Sequence, residues 1–133
     1  MRVLVPIDGS DCSFAALDYA LDLYNMGGVT LHVIHITDYE TDASEELLKK
    51  ATDRLSAAGI DAEPELVTSL GLDSPKASVK IGEHIVSLLE ADDYDQVVIG
   101  RHGERGRLED FLLGSTSETI VKHAPVPVTV IPA

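Results

Sequence analysis

The sequence predicts an α/β fold: a three-layer sandwich around a five-stranded, parallel, doubly wound sheet of Rossmann-like type. Two observations carry that prediction. Short β-branched apolar runs alternate with longer segments whose apolar residues recur at helical spacing. Turn and cap residues stand between them, where strands should hand over to helices. Strands separated by helices pair in parallel, because each right-handed crossover returns the chain in the same sense.

The elements follow in order. RVLVPI (2–7) is a buried strand that stops at the turn-and-cap cluster Asp8-Gly9-Ser10. Phe14, Leu17, Leu21 and Tyr24 then recur at helical spacing, with Ser10 or Asp11 placed to cap and NMGG placed to stop. VTLHVIHI (29–36) is the second strand, and 41–59 the second helix, with its acids first and a glycine just past its end. A weaker third strand, 63–69, precedes the loop LGLDSPKASV and a third helix, 80–91. DQVVIG (95–100) is the fourth strand. The last helix, 115–124, opens with Ser115-x-x-Glu118 in the form of a capping box, and VPVTVI (126–131) is the final strand.

Residues 1–133 fit one domain, and a chain 44% apolar and 25% charged can build an ordinary core. No run reaches the roughly 18 apolar residues of a membrane span, and the first strand starts without a signal-peptide pattern, so a cytoplasmic protein is expected. A net charge of −13 disfavours general affinity for nucleic acid or anionic membrane. With only five lysines, that surface fits a halophilic, salt-adapted interior, or else an acidic protein of an ordinary cell. Cys12, the only cysteine, allows no internal disulfide and reads as a small buried helix residue.

Against that acidity, GRHGERGR (100–107) gathers three of the five arginines among three glycines. In open parallel sheets ligands bind beyond the carboxyl ends of the strands. Three segments end there: Asp8-Gly9-Ser10, Gly100-x-x-Gly103 and Gly114-Ser115-Thr116. Glycine before a helix start exposes backbone N–H groups at a positive dipole end, which suits phosphate. Arg101, Arg105 and Arg107 would supply local positive field; the alternative is a surface loop whose arginines balance Glu104, Glu109 and Asp110. Neither a Walker lysine loop nor a G-x-G-x-x-G fingerprint occurs.

VPIDGS near the start, the second strand ending in HI, IGRHG, and LLGSTSETIVKHAPVPVTVIP together resemble the universal stress proteins over nearly the whole chain. The likeness to their nucleotide-binding branch, of the adenine nucleotide alpha hydrolase-like type, rests on Gly100-x-x-Gly103 and Gly114-Ser115. Here the spacer Glu104–Leu113 is one residue longer than the family pattern. The resemblance implies an ATP site, with magnesium as a candidate companion. Asp8 would meet the ribose or adenine, with capping of the first helix as its alternative role. Pro6 and Ile36 would form apolar walls for the base, with Ile99 near it. Gly100, His102 and Gly103 would line sugar and phosphates, while Gly114, Ser115 and Thr116 would hold the phosphates and Ser117 would add a hydroxyl.

His32 and His35 lie three apart on a strand, face opposite ways and cannot share a metal ion; His84 and His123 read as structural. No nucleophile, base and orienting acid form a recognisable triad. The leading expectation is therefore an ATP-binding stress-response protein, regulatory more than enzymatic and at most a slow hydrolase. It would act as a nucleotide-dependent homodimer through strand 126–131, whose Val126, Val128 and Val130 form an apolar row. The alternatives are a slow ATP-hydrolysing or nucleotidyl-transferring enzyme and an interaction module with a vestigial pocket.

Overall fold

The computed structural model describes residues 1–38, 40–68, 77–101 and 113–132. The elements run β1 (Arg2–Ile7), α1 (Asp11–Asn25), β2 (Thr30–Ile36), α2 (Asp42–Ala57), β3 (Glu65–Val67), α3 (Ala77–Ala91), β4 (Gln96–Gly100), α4 (Ser115–His123) and β5 (Val128–Ile131). The sheet is parallel throughout, in the order β3-β2-β1-β4-β5, as an α/β Rossmann-like fold requires.

The period-two alternation of each strand sorts its side chains into two apolar layers. Val3, Val5 and Ile7 of β1, with Val33 and Val98, pack under Phe14, Leu17 and Leu21 of α1 and Leu47 and Leu55 of α2. Leu4, with Ile34, Ile36, Val97 and Ile99, packs against Ile85 and Leu89 of α3 and Ile120 of α4. A strand covered on both faces must be apolar at consecutive positions, which is why RVLVPI has no solvent side between Val3 and Val5.

Helix starts and stops follow local chemistry. Ser10 caps α1, its hydroxyl oxygen accepting from the Ser13 amide at 3.1 Å. Thr41 and Ser44 form a reciprocal capping box at α2 that was not foreseen. The box expected at Ser115-x-x-Glu118 is absent: Gly114 is the N-cap, so Ser115 already lies inside the helix, where its hydroxyl is out of capping position. α3 already includes Ala77, ahead of the expected 80, and its first turn is tied to α4: the Thr116 hydroxyl donates to the Ser78 carbonyl at 2.8 Å.

β5 begins at Val128 and not at Val126. Pro125 and Pro127 carry no N–H, so the ladder is entered first through the Pro127 carbonyl, which accepts from Val97 at 3.1 Å. Val126, Val128 and Val130 lie on the α3/α4 face, partly buried against its apolar layer, and Ile131 packs on the α1 side. The expected apolar row thus belongs to a sheet face, while the free edge of β5 is backbone. β3, reduced to Glu65–Val67, is the other edge.

Candidate functional site

Successive connections wind the chain from β1 toward β3 on one side and from β4 toward β5 on the other. The direction of winding therefore reverses between β1 and β4, where a parallel sheet leaves a crevice at its carboxyl end. A cavity of about 420 Å³ opens there. Its floor and walls come from Pro6, Ile7 and Asp8 at the end of β1, Ile36 of β2, and Ile99 and Gly100 of β4. The first turns of α1, α3 and α4 complete it.

Of the residues expected in the site, Pro6, Asp8, Ile36, Ile99, Gly100, Gly114, Ser115, Thr116 and Ser117 all line this cavity. His102 and Gly103 lie outside the described residues, as do Arg105, Arg107 and most of the spacer. Arg101 lies just past β4, held by its backbone: its amide donates to Ile131 at 2.9 Å and its carbonyl accepts from Gly114 at 3.0 Å. Its buried Nε has no hydrogen-bond partner among the described residues.

The polar end of the cavity is built in a definite hierarchy. In α4 the first i→i−4 bond joins the Glu118 amide to the Gly114 carbonyl at 2.8 Å, and among the described residues no side chain caps the turn before it. The amides of Ser115, Thr116 and Ser117 are consequently left for an outside acceptor. The hydroxyls have different work. Thr116 donates to the Ser78 carbonyl, and the buried Ser117 donates to the Gly100 carbonyl at 2.7 Å, tying α4 to α3 and to β4. Their protons are engaged, so neither hydroxyl can donate to a phosphate in this arrangement. Ser115 has no such engagement among the described residues.

Asp8 takes part in the start of α1 without being its cap. Its Oδ1 accepts from the Ser10 amide at 2.9 Å and the Ser10 hydroxyl at 2.5 Å, which fixes the capping serine. Asp8 is also the one charged side chain among the described residues that line the cavity. Its Oδ2 carries no hydrogen bond from a described residue.

Gly100 has a reason not legible in its motif. A Cβ there would stand 2.7 Å from the Cys12 carbonyl carbon and Cβ and 2.9 Å from the Cys12 oxygen. The glycine lets the end of β4 lie against the backbone of α1, whatever ligand the site takes. Sequence reasoning also missed Ile7, Ser10 and Ser13 at the α1 side, Ser78, Ile81 and Ile85 of α3, and Ile120 of α4. Spacing 78, 81 and 85 places one face of α3 on the cavity, but the same spacing describes any core-facing stripe.

The histidines behave as their strand positions require. His35 is buried on the α1/α2 face and its Nδ1–H donates to the Ile7 carbonyl at 2.9 Å. His32, on the other face, stacks on Tyr94 and meets Glu65 of β3 through Nε2 at 2.9 Å. Burial pushes the Tyr94 hydroxyl above its ordinary range, against the lowering influence of Arg2 over its ring. On the exposed side of α4, the Lys122 ammonium bonded to Glu118 at 2.8 Å holds that carboxyl below its ordinary range. Among the described residues no group of three or more His, Cys, Asp or Glu could hold a metal ion. No described helix is long and apolar enough to cross a membrane.

Comparison with known proteins agrees with this architecture. A solved universal stress protein in complex with cAMP is 26% identical, with a TM-score of 0.71 over 98% of this chain and 95% of its own. An Archaeoglobus fulgidus universal stress protein in complex with dAMP shares the fold, with a TM-score of 0.69 at 23% identity over 98% and 97% of the two chains. A Staphylococcus haemolyticus chain named for the same family is 31% identical over 98% of this chain and 83% of its own. A sequence model described as the universal stress protein family matches residues 1–132. Because that match runs from the start of β1 past the end of β5, the chain belongs to the universal stress protein family.

Proposed function

We propose that this protein binds an adenine nucleotide, ATP in the first place, in the cavity between β1 and β4, and that it works as a homodimeric regulatory protein of the stress response. The observation that carries this reading is the open first turn of α4: three consecutive backbone donors at a positive dipole end, uncapped by any described side chain, beside an apolar slot. A volume of about 420 Å³ lies within the range of roughly 300–1,000 Å³ typical of small-molecule sites. The complex of a related universal stress protein with cAMP supports an adenine ligand.

In this reading the base lies among Pro6, Ile36 and Ile99, and Asp8 accepts from ribose hydroxyls or the exocyclic amine. The amides of residues 115–117 and the Ser115 hydroxyl meet phosphate oxygens. Magnesium would come as a counter-ion of the phosphates, whose charge it would neutralise. His102, Gly103 and the arginines of the spacer would complete the phosphate side. The charge pattern of the described lining favours binding over turnover, since its single carboxylate, Asp8, is half engaged by Ser10.

The homodimer in this proposal forms between β5 edges. β5 is an outer strand, and from Ala124 to Pro132 no charged side chain guards it. Two such edges related by a two-fold axis would close the assembly at a dimer.

Calorimetry with ATP and adenosine, together with light scattering, tests the whole reading. ATP should bind more tightly than adenosine, the dimer should be present with ATP, and hydrolysis should fall far below the enzyme median of about 10 per second. Equal affinity for the two ligands would remove the phosphate assignment. A monomer with ATP bound would remove the β5 interface.

A further inference from the structure

The apolar wall contributed by α3 is held in place by a narrow seam with α4. A Cβ on Gly82 would stand 2.7 Å from Thr119 Cβ, 3.0 Å from Thr119 Cγ2 and 3.1 Å from the Thr116 carbonyl oxygen. No side chain larger than hydrogen fits without separating the helices or moving Thr119. One turn away, the Thr116 hydroxyl reaches across the same seam to the Ser78 carbonyl at 2.8 Å. The cavity lies on the inner side of this seam, with Ser78, Ile81 and Ile85 on the α3 wall and Ser115, Thr116, Ser117 and Ile120 on the α4 wall.

The two walls are not anchored alike. α4 is fixed to β4 by the Ser117 hydroxyl on the Gly100 carbonyl and by the Gly114 amide on the Arg101 carbonyl. The first turn of α3 is tied to α4 through the Thr116 hydroxyl on the Ser78 carbonyl. A widened seam therefore moves α3 and leaves the α4 donors where they are.

We infer that Gly82 and Thr116 are positioning residues for the adenine nucleotide site: their close contact across the α3–α4 seam sets the spacing of the apolar slot, and with it the affinity for the base. The inference rests on the nucleotide reading above. Its signature is specific. Ile81 and Ile85 stand one turn apart on one face, so displacing α3 withdraws both from a bound base while the phosphate donors on α4 stay in place. Loss should fall equally on ligands with and without phosphates.

The test is Gly82→Ala in the full chain, titrated with ATP and with adenosine. Alanine's better helix propensity offsets part of the steric cost, which favours a folded variant. Both ligands should weaken by about tenfold, the scale of a methylene-sized misfit in an apolar pocket. Unchanged affinity for both, or loss for ATP alone, would overturn the inference. Should Gly82→Ala fail to fold, Thr116→Val decides: equal weakening of both ligands, restored by Thr116→Ser, supports the seam, and absence of either overturns it.

A wild type that binds neither ligand would defeat the nucleotide reading by itself. The seam is then judged without ligand, by methyl NMR contacts between Ile81 or Ile85 and Ile120 in Gly82→Ala. Weakened contacts support a displaced wall, and unchanged contacts overturn it.

Discussion

α1 and α4 both begin at the same cavity, yet their first turns are finished in opposite ways. At α1, Ser10 caps the Ser13 amide, and Asp8 in turn holds Ser10 through its amide and hydroxyl. At α4 the N-cap is Gly114, and the amides of residues 115–117 meet no side chain among the described residues. The serine and threonine that could have served α4 are turned elsewhere, onto Gly100 and Ser78. One helix start is closed for stability, and the other is left open while its hydroxyls fix its position. The contrast separates what supports the fold from what is available to a ligand.

The strongest way to break this contrast is to cap α4. The Gly114 backbone, at φ −67° and ψ 164°, is one any L residue adopts. Gly114→Asp should cap the helix and leave stability equal or a few tenths of a kcal/mol higher. It should also place a carboxylate where phosphate is proposed to lie. ATP affinity should then fall by roughly a hundredfold, since juxtaposed like charges cost several kcal/mol, while adenosine affinity changes little. Calorimetry and thermal unfolding on the same sample check both halves; an ATP affinity equal to wild type would close the case against α4 as the phosphate end.

Next in size is Gly100→Ala, which attacks the contact holding α1 beside β4. The new Cβ meets backbone atoms of Cys12, which cannot rotate away. Overpacking of this kind costs about 1–3 kcal/mol, and here the rigid neighbour argues for the upper part of that range. Denaturant unfolding should show it, with a lower midpoint and an unchanged slope. At Gly82 the added methyl would meet Thr119 Cβ just as closely, and the Thr116 carbonyl oxygen at 3.1 Å, but alanine regains about 1 kcal/mol of helix propensity, which offsets part of the cost.

Ser10→Ala gives the smallest expected effect, about 1 kcal/mol of stability from the lost cap. It also removes one of the two hydrogen bonds on Asp8 Oδ1, leaving that of the residue-10 amide, so it sharpens the comparison from the α1 side. Unfolding measurements should show the loss. A change as small as a few tenths would mean that Asp8 takes over the cap.

The order of strands and helices, and a cap of the first helix at Ser10 or Asp11, were legible from sequence, because alternation, helical spacing and capping chemistry act between neighbours in the chain. β1 illustrates this: Val3 and Leu4 declare opposite layers with no knowledge of what covers them. A place for Pro6, Asp8, Ile36 and Ile99 in one site was implied by the family resemblance, and the structure brings them to one cavity. Other features depended on tertiary structure. Gly100 looked like a ligand glycine, and only the fold places Cys12 against it. Ser115-x-x-Glu118 looked like a capping box, and the helix starts one residue away from the register that would form it. Ile81 and Ile85 had ordinary core spacing, and nothing local says that α3 turns that face to a cavity. A hydroxyl's acceptor, a glycine's neighbour and the space beside a helix are set by segments tens of residues away, and the distances that decide them exist only once the sheet has brought those segments together.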